Sequence, residues 1–113
     1  MSFLPQQRLA QLRDIFLERT TDEMSVLFDA VKLLQQGDEK AGETIERLAH
    51  RIRGTGGTLG FDLISRCAHQ IESFAAQLRE QHNRDDWPLE QLAASARQLA
   101  AELRAAAAIK NAS

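Results

Sequence analysis

Leu48-Ala49-His50-Arg51-Ile52-Arg53-Gly54-Thr55-Gly56-Gly57-Thr58-Leu59-Gly60 lies near the middle of the chain and holds its least ordinary pattern. Together with Ile45, the apolar positions 45, 48, 49, 52 and 59 keep helical spacing. The segment therefore reads as a helix with one side against a core. Residues 46, 47, 50, 53, 54 and 57 are three or four apart and share the other side. That side presents Glu46, Arg47, His50, Arg53, Gly54 and Gly57. A histidine, a cation one turn later and then bare backbone is an unusual solvated face. Each glycine inside a helix costs about 1 kcal/mol relative to alanine. Lacking a β-carbon, glycine lets another backbone come close. Gly56 or Gly57 can simply end the helix, but Gly54 shares its stripe with His50 and Arg53.

The order His50-x-Ile52-Arg53-Gly54-Thr55-x-x-x-Leu59-Gly60 resembles the signature of histidine-containing phosphotransfer (HPt) domains. That pattern is His, any residue, an aliphatic, Lys or Arg, Gly, a small residue, three more, an aliphatic and Gly. The likeness extends more weakly to Phe16-Leu17-Glu18, to Gln36-Gly37-Asp38 and to Cys67 through Glu72. One departure is Arg53, where Lys is commoner; charge is kept, although the two are not equivalent donors.

The 113 residues suffice for one domain with one core, taken here as residues 1–113. A hydrophobic content of 43 % with 27 % charged residues is ordinary for a folded domain. Tyrosine is absent while Ala, Leu, Gln, Glu and Arg abound, which favours helix over sheet. The net charge of −2 gives no global basic field for nucleic acid. The single cysteine, Cys67, excludes an internal disulfide and suits a reducing compartment. Met1-Ser2-Phe3-Leu4-Pro5 has no charged-then-apolar leader pattern, and Ala105 to Ile109 is too short an apolar run to span a bilayer. The expectation is a cytoplasmic domain that makes no use of a membrane.

In chain order, Pro5 suits the first turn of a helix, and Leu9, Leu12 and Phe16 follow as an apolar stripe. Thr20, three before Glu23, forms a capping-box pattern that suggests a fresh start, so residues 5 to 35 read either as two helices or as one bent helix. A second stripe runs through Met24, Leu27, Phe28, Val31 and Leu34. Gly37 ends that helix and Asp38 can cap the next, which spans about Glu39 to Thr58. After a turn at Gly60, the residues Leu63, Ile64, Cys67, Ile71, Phe74 and Leu78 mark a further helix. Trp87-Pro88 opens the last, with a seam of Leu89, Leu92, Ala96, Leu99 and Leu103. The expected fold is an all-α, up-and-down four-helix bundle with an additional short N-terminal helix.

What the resemblance implies is a phosphorelay intermediate. His50 would accept a phosphoryl group from the receiver-domain aspartate of a hybrid histidine kinase and pass it to a response-regulator receiver. Arg53 would meet the phosphoryl oxygens by charge-assisted hydrogen bonds. In the family a Gln or Glu twenty-two residues past the histidine often orients the ring; here that residue is Glu72. Arg47, Arg51, Gly54 and Gly57 would form the docking surface. No metal or cofactor is expected on this chain, since it shows neither an acidic cluster for Mg²⁺ nor a phosphate-cradling Gly-x-x-x-x-Gly-Lys loop. Mg²⁺ is expected only on the partner receiver, autonomous kinase or hydrolase activity is not expected, and a monomer is the family default. The competing readings are a helical adaptor that docks receivers without carrying phosphate, and a metal-binding bundle. The second lacks paired Glu-x-x-His repeats, because Arg47 and Arg66 stand three residues before His50 and His69. His69 and His82 read as surface residues and Cys67 as a small core filler.

Overall fold

The computed structural model describes residues 5–81 and 83–112. Two readings, the missing leader pattern at residues 1–4 and the surface placement of His82, fall outside the described residues. Four helices account for most of the chain: α1 (Pro5–Gln35), α2 (Lys40–Thr58), α3 (Asp62–Glu80) and α4 (Leu89–Ala112). A single 3₁₀ turn, Arg84–Asp86, precedes α4.

Local chemistry sets the boundaries. Gly37 and Gly60 take positive φ values of 94° and 85°, a region that side chains disfavour. At the end of α2 the Phe61 N–H donates to Gly56 O and the Gly60 N–H to Gly57 O, so two otherwise orphaned carbonyls are satisfied. The end of α1 repeats this, with Asp38 N–H on Leu33 O and Gly37 N–H on Leu34 O. The Asp38 carboxylate then accepts the Lys40 N–H at 3.1 Å, starting α2.

Neighbouring helices run antiparallel in a closed ring, α1 against α2 and α4, and α3 against α2 and α4. Cross-links fix the register: Glu23 to Arg51 between α1 and α2, Glu46 to Arg79 between α2 and α3, and Asp14 to Lys110 between α1 and α4. The core is built from Leu27, Leu34, Ile45, Ile52, Ile71, Leu92, Leu99 and Leu103, all but excluded from water. Cys67 joins this core as a small filler.

The additional short N-terminal helix does not stand apart: residues 5–35 form one helix of 31 residues. Thr20 fails as a cap because its side chain is buried against the neighbouring helices. Glu23 does not fold back on it, since its carboxylate is taken by Arg19 and Arg51. Tertiary partners thus override a local capping signal. Four expected core residues are also exposed: Leu9, Leu12, Phe28 and Leu63. Phe16 packs beside Gly56, at the last turn of α2, so Leu9 and Leu12 lie on the part of α1 that extends past the α2–α3 turn. Phe28 and Leu63 each sit one position off the true seam, which passes through Leu27 and Ile64.

No helix among the described residues is long and apolar enough to cross a membrane.

Candidate functional site

The core face of α2 carries Ile45, Ala49, Ile52 and Gly56. His50, two positions from Ile52, is therefore turned outward, and its side chain is 66 % exposed. It lies on the flank of α2 that faces α3. Glu72 lies next to the buried Ile71 on α3, which directs its carboxylate along the groove between the two helices.

Glu72 Oε2 stands 2.5 Å from His50 Nδ1. An ionised carboxylate only accepts, so at this distance the proton must be on Nδ1. The Nδ1–H therefore donates to Glu72, and the Nε2 lone pair points away from it. Among the described residues none hydrogen-bonds to Nε2. Arg53 completes the group. Its Nε lies 2.8 Å from Glu72 Oε1, an ion pair rather than an aligned hydrogen bond. Its Nη2 lies 3.3 Å from His50 Nδ1. Since Nδ1 already holds a proton, that approach is a side-by-side contact of two donors around one carboxylate.

The residues singled out from sequence divide into two groups. His50, Arg53 and Glu72 come together as one cluster. Arg47, Gly54 and Gly57 are exposed on the same helix. A β-carbon on Gly54 would meet nothing within 4 Å, so the surface there is bare. Gly57 differs: a β-carbon would come within 3.2 Å of Ser65 Oγ, so this glycine also serves the α2–α3 approach. Arg51 faces the other flank, where its Nη2 reaches Glu23 at 2.6 Å. It is an α1–α2 tie before it is a docking residue.

Sequence reasoning missed Ser65. Its hydroxyl donates to the backbone carbonyl of Arg53 at 2.9 Å, pinning α3 to the residue that carries the cation. The signal was available, because Ser65 lies seven residues before Glu72 and so shares its helical face. His69 is exposed, as expected.

The site is convex. A cleft of about 290 Å³, lined by Leu34, Gly42, Leu78 and Trp87 among others, belongs to the opposite end of α2 and does not include His50.

Comparison with known proteins gives a matching answer. The family model described as "Hpt domain" matches residues 11–109, nearly the whole chain. A search of curated proteins and a search of solved structures found no significant match. Domains of this family are phosphotransfer carriers rather than catalytic enzymes, and membership implies a histidine phosphotransfer role in two-component signalling. With a matching helical bundle and an outward imidazole on α2, the chain belongs to the Hpt domain family.

Proposed function

We propose that the chain is a cytoplasmic phosphorelay intermediate in which His50 is the phosphoacceptor. It takes its phosphoryl group from a receiver aspartate of a hybrid histidine kinase and gives it to the receiver aspartate of a response regulator. The observation that carries this reading is the exposed His50 ring with its Nδ1 proton committed to Glu72 and its Nε2 uncovered.

In the forward step the Nε2 lone pair attacks phosphorus, the N–P bond forms, and the bond from phosphorus to the aspartyl oxygen breaks. The aspartate leaves as a carboxylate, and no proton need move, because Nδ1 keeps its own. Positive charge gathers on the ring as the bond forms, and Glu72 faces it. Arg53 has five N–H donors; with Nε ion-paired to Glu72 and Nη2 beside His50 Nδ1, the Nη1 donors are left for phosphoryl oxygens. Phosphoryl transfer needs mainly positioning and charge stabilisation. The receiver supplies the rest, including Mg²⁺.

Gly54 keeps the approach open, and Arg47, exposed and without an ion pair among the described residues, offers charge to an acid-lined receiver. Incubation with a radiolabelled phosphorylated receiver tests the reading. Label moves to the parent chain and is absent from His50→Gln. Docking without label transfer to the parent would leave the adaptor reading in its place.

A further inference from the structure

Glu72 is the hub of the cluster. Both its oxygens are engaged, Oε2 by the His50 Nδ1–H and Oε1 by Arg53 Nε, and its side chain is only 18 % exposed. A carboxylate that has lost most of its water needs compensation from a cation or hydrogen bonds. The neutral imidazole supplies one hydrogen bond and no charge. The guanidinium supplies the charge. This carboxylate also lies beside the ring that, on the reading above, receives a phosphoryl group bearing up to two negative charges. An unneutralised Glu72 would oppose that group, and a carboxylate no longer held in place would leave the ring free to carry its proton on Nε2 instead. The backbone of Arg53 is itself anchored, through its carbonyl, to Ser65 on the helix that carries Glu72.

We propose that Arg53 is a positioning residue acting through Glu72: it is the counter-ion that holds this carboxylate on the Nδ1 proton, so that Nε2 stays bare. The requirement for Arg53 is then set by the charge at position 72. Arginine fits this place better than lysine. A guanidinium can pair with Glu72 through Nε and still present its Nη1 donors to another group, whereas lysine has one nitrogen for both tasks. The consequence for transfer rests on His50 being the phosphoacceptor; the resting geometry does not.

The experiment is a double-mutant cycle on the full chain with Arg53→Ala, Glu72→Gln and the pair. Glutamine keeps a carbonyl acceptor for Nδ1–H but removes the charge. The first readout is the fraction of His50 with its proton on Nδ1 and Nε2 bare, from ring ¹⁵N shifts at neutral pH without phosphate. The second is the rate of transfer from a phosphorylated receiver. In the parent background, with Glu72 present, Arg53→Ala lowers the bare-Nε2 fraction and slows transfer about tenfold, the order found for coupled neighbours. In the Glu72→Gln background, the same substitution leaves the fraction in place and slows transfer by less than about threefold. Arg53→Lys, retaining a cation, keeps the parental ring state and guards against a folding artefact of alanine. Equal factors in the two backgrounds, or a ring state that Arg53→Ala does not move, would overturn the proposal and leave Arg53 acting on the phosphoryl group alone. If no variant and no parent accepts label, the phosphoacceptor reading fails while the ring measurement still decides this one.

Discussion

Phe16 Cζ stands 3.3 Å from where a β-carbon on Gly56 would be built. The ring is buried and stacked on Phe61 with centroids 5.5 Å apart, which opposes its retreat. Gly54, two residues away, has nothing near it. The same substitution should therefore act in opposite directions. Gly54→Ala raises stability by up to about 1 kcal/mol, from helix propensity alone. Gly56→Ala gains the same propensity but overpacks the α1–α2 contact, at about 1–3 kcal/mol. Urea midpoints should fall in the order Gly54→Ala, parent, Gly56→Ala, and a Gly56→Ala midpoint at or above the parent's would show that Phe16 yields freely.

His50→Gln abolishes phosphoryl transfer and leaves the helical circular dichroism and urea midpoint close to those of the parent. The side chain is mostly in water and contributes little packing. A loss of helicity would mark the imidazole as a structural element instead.

Gly54→Gln weakens receiver docking while preserving the fold, because the new side chain occupies open space that a partner needs. Titration of a receiver domain by calorimetry reads the effect; unchanged affinity and transfer would remove the role given to this glycine.

Thr20 is fully buried, and its Oγ1 has no hydrogen-bond partner among the described residues. Replacing the hydroxyl by a methyl of similar shape removes an uncompensated polar group. Thr20→Val should stabilise by about 1 kcal/mol, seen as a higher melting temperature. A lower one would mean that the hydroxyl has a partner in solution.

Burial, and secondarily the Glu102 carboxylate, push the Cys67 thiol above its ordinary value. Folding thus favours the protonated form. The stability this provides is fully present below the unfolded thiol's value and is lost as pH rises through the folded one. In alkaline buffer the parent should lose more stability than Cys67→Ala does, measured relative to each protein at neutral pH. Parallel pH profiles would show that the thiol titrates alike in both states.

Much of this architecture is visible in residue order. The seam of α4 through Leu92, Ala96, Leu99 and Leu103 and the glycine stops at Gly37 and Gly60 need only periodicity and turn chemistry. His50 and Gly54 stand out by their incongruity on an outer face. Glu72 was reachable only through the family spacing, since nothing local ties a residue on α3 to one on α2. What escaped were matters of partnership. A capping box at Thr20 and Glu23 is a local signal, but Arg51, 28 residues away, claims the glutamate. Leu9 and Leu12 have helical spacing, yet spacing cannot say whether another helix runs alongside. Gly57 reads as room for a partner and Gly56 as a possible helix end, while the neighbours they admit are Ser65 and Phe16 of the same chain.

The His50 ring and the carboxylate bonded to it ride on separate helices, across a seam tied by the Arg53–Glu72 and Glu46–Arg79 ion pairs and one serine hydroxyl. Aim is therefore a property of the seam. On the proposed function, a partner that grips both helices at once would steady the ring. Such a carrier is most accurate at the moment it is held.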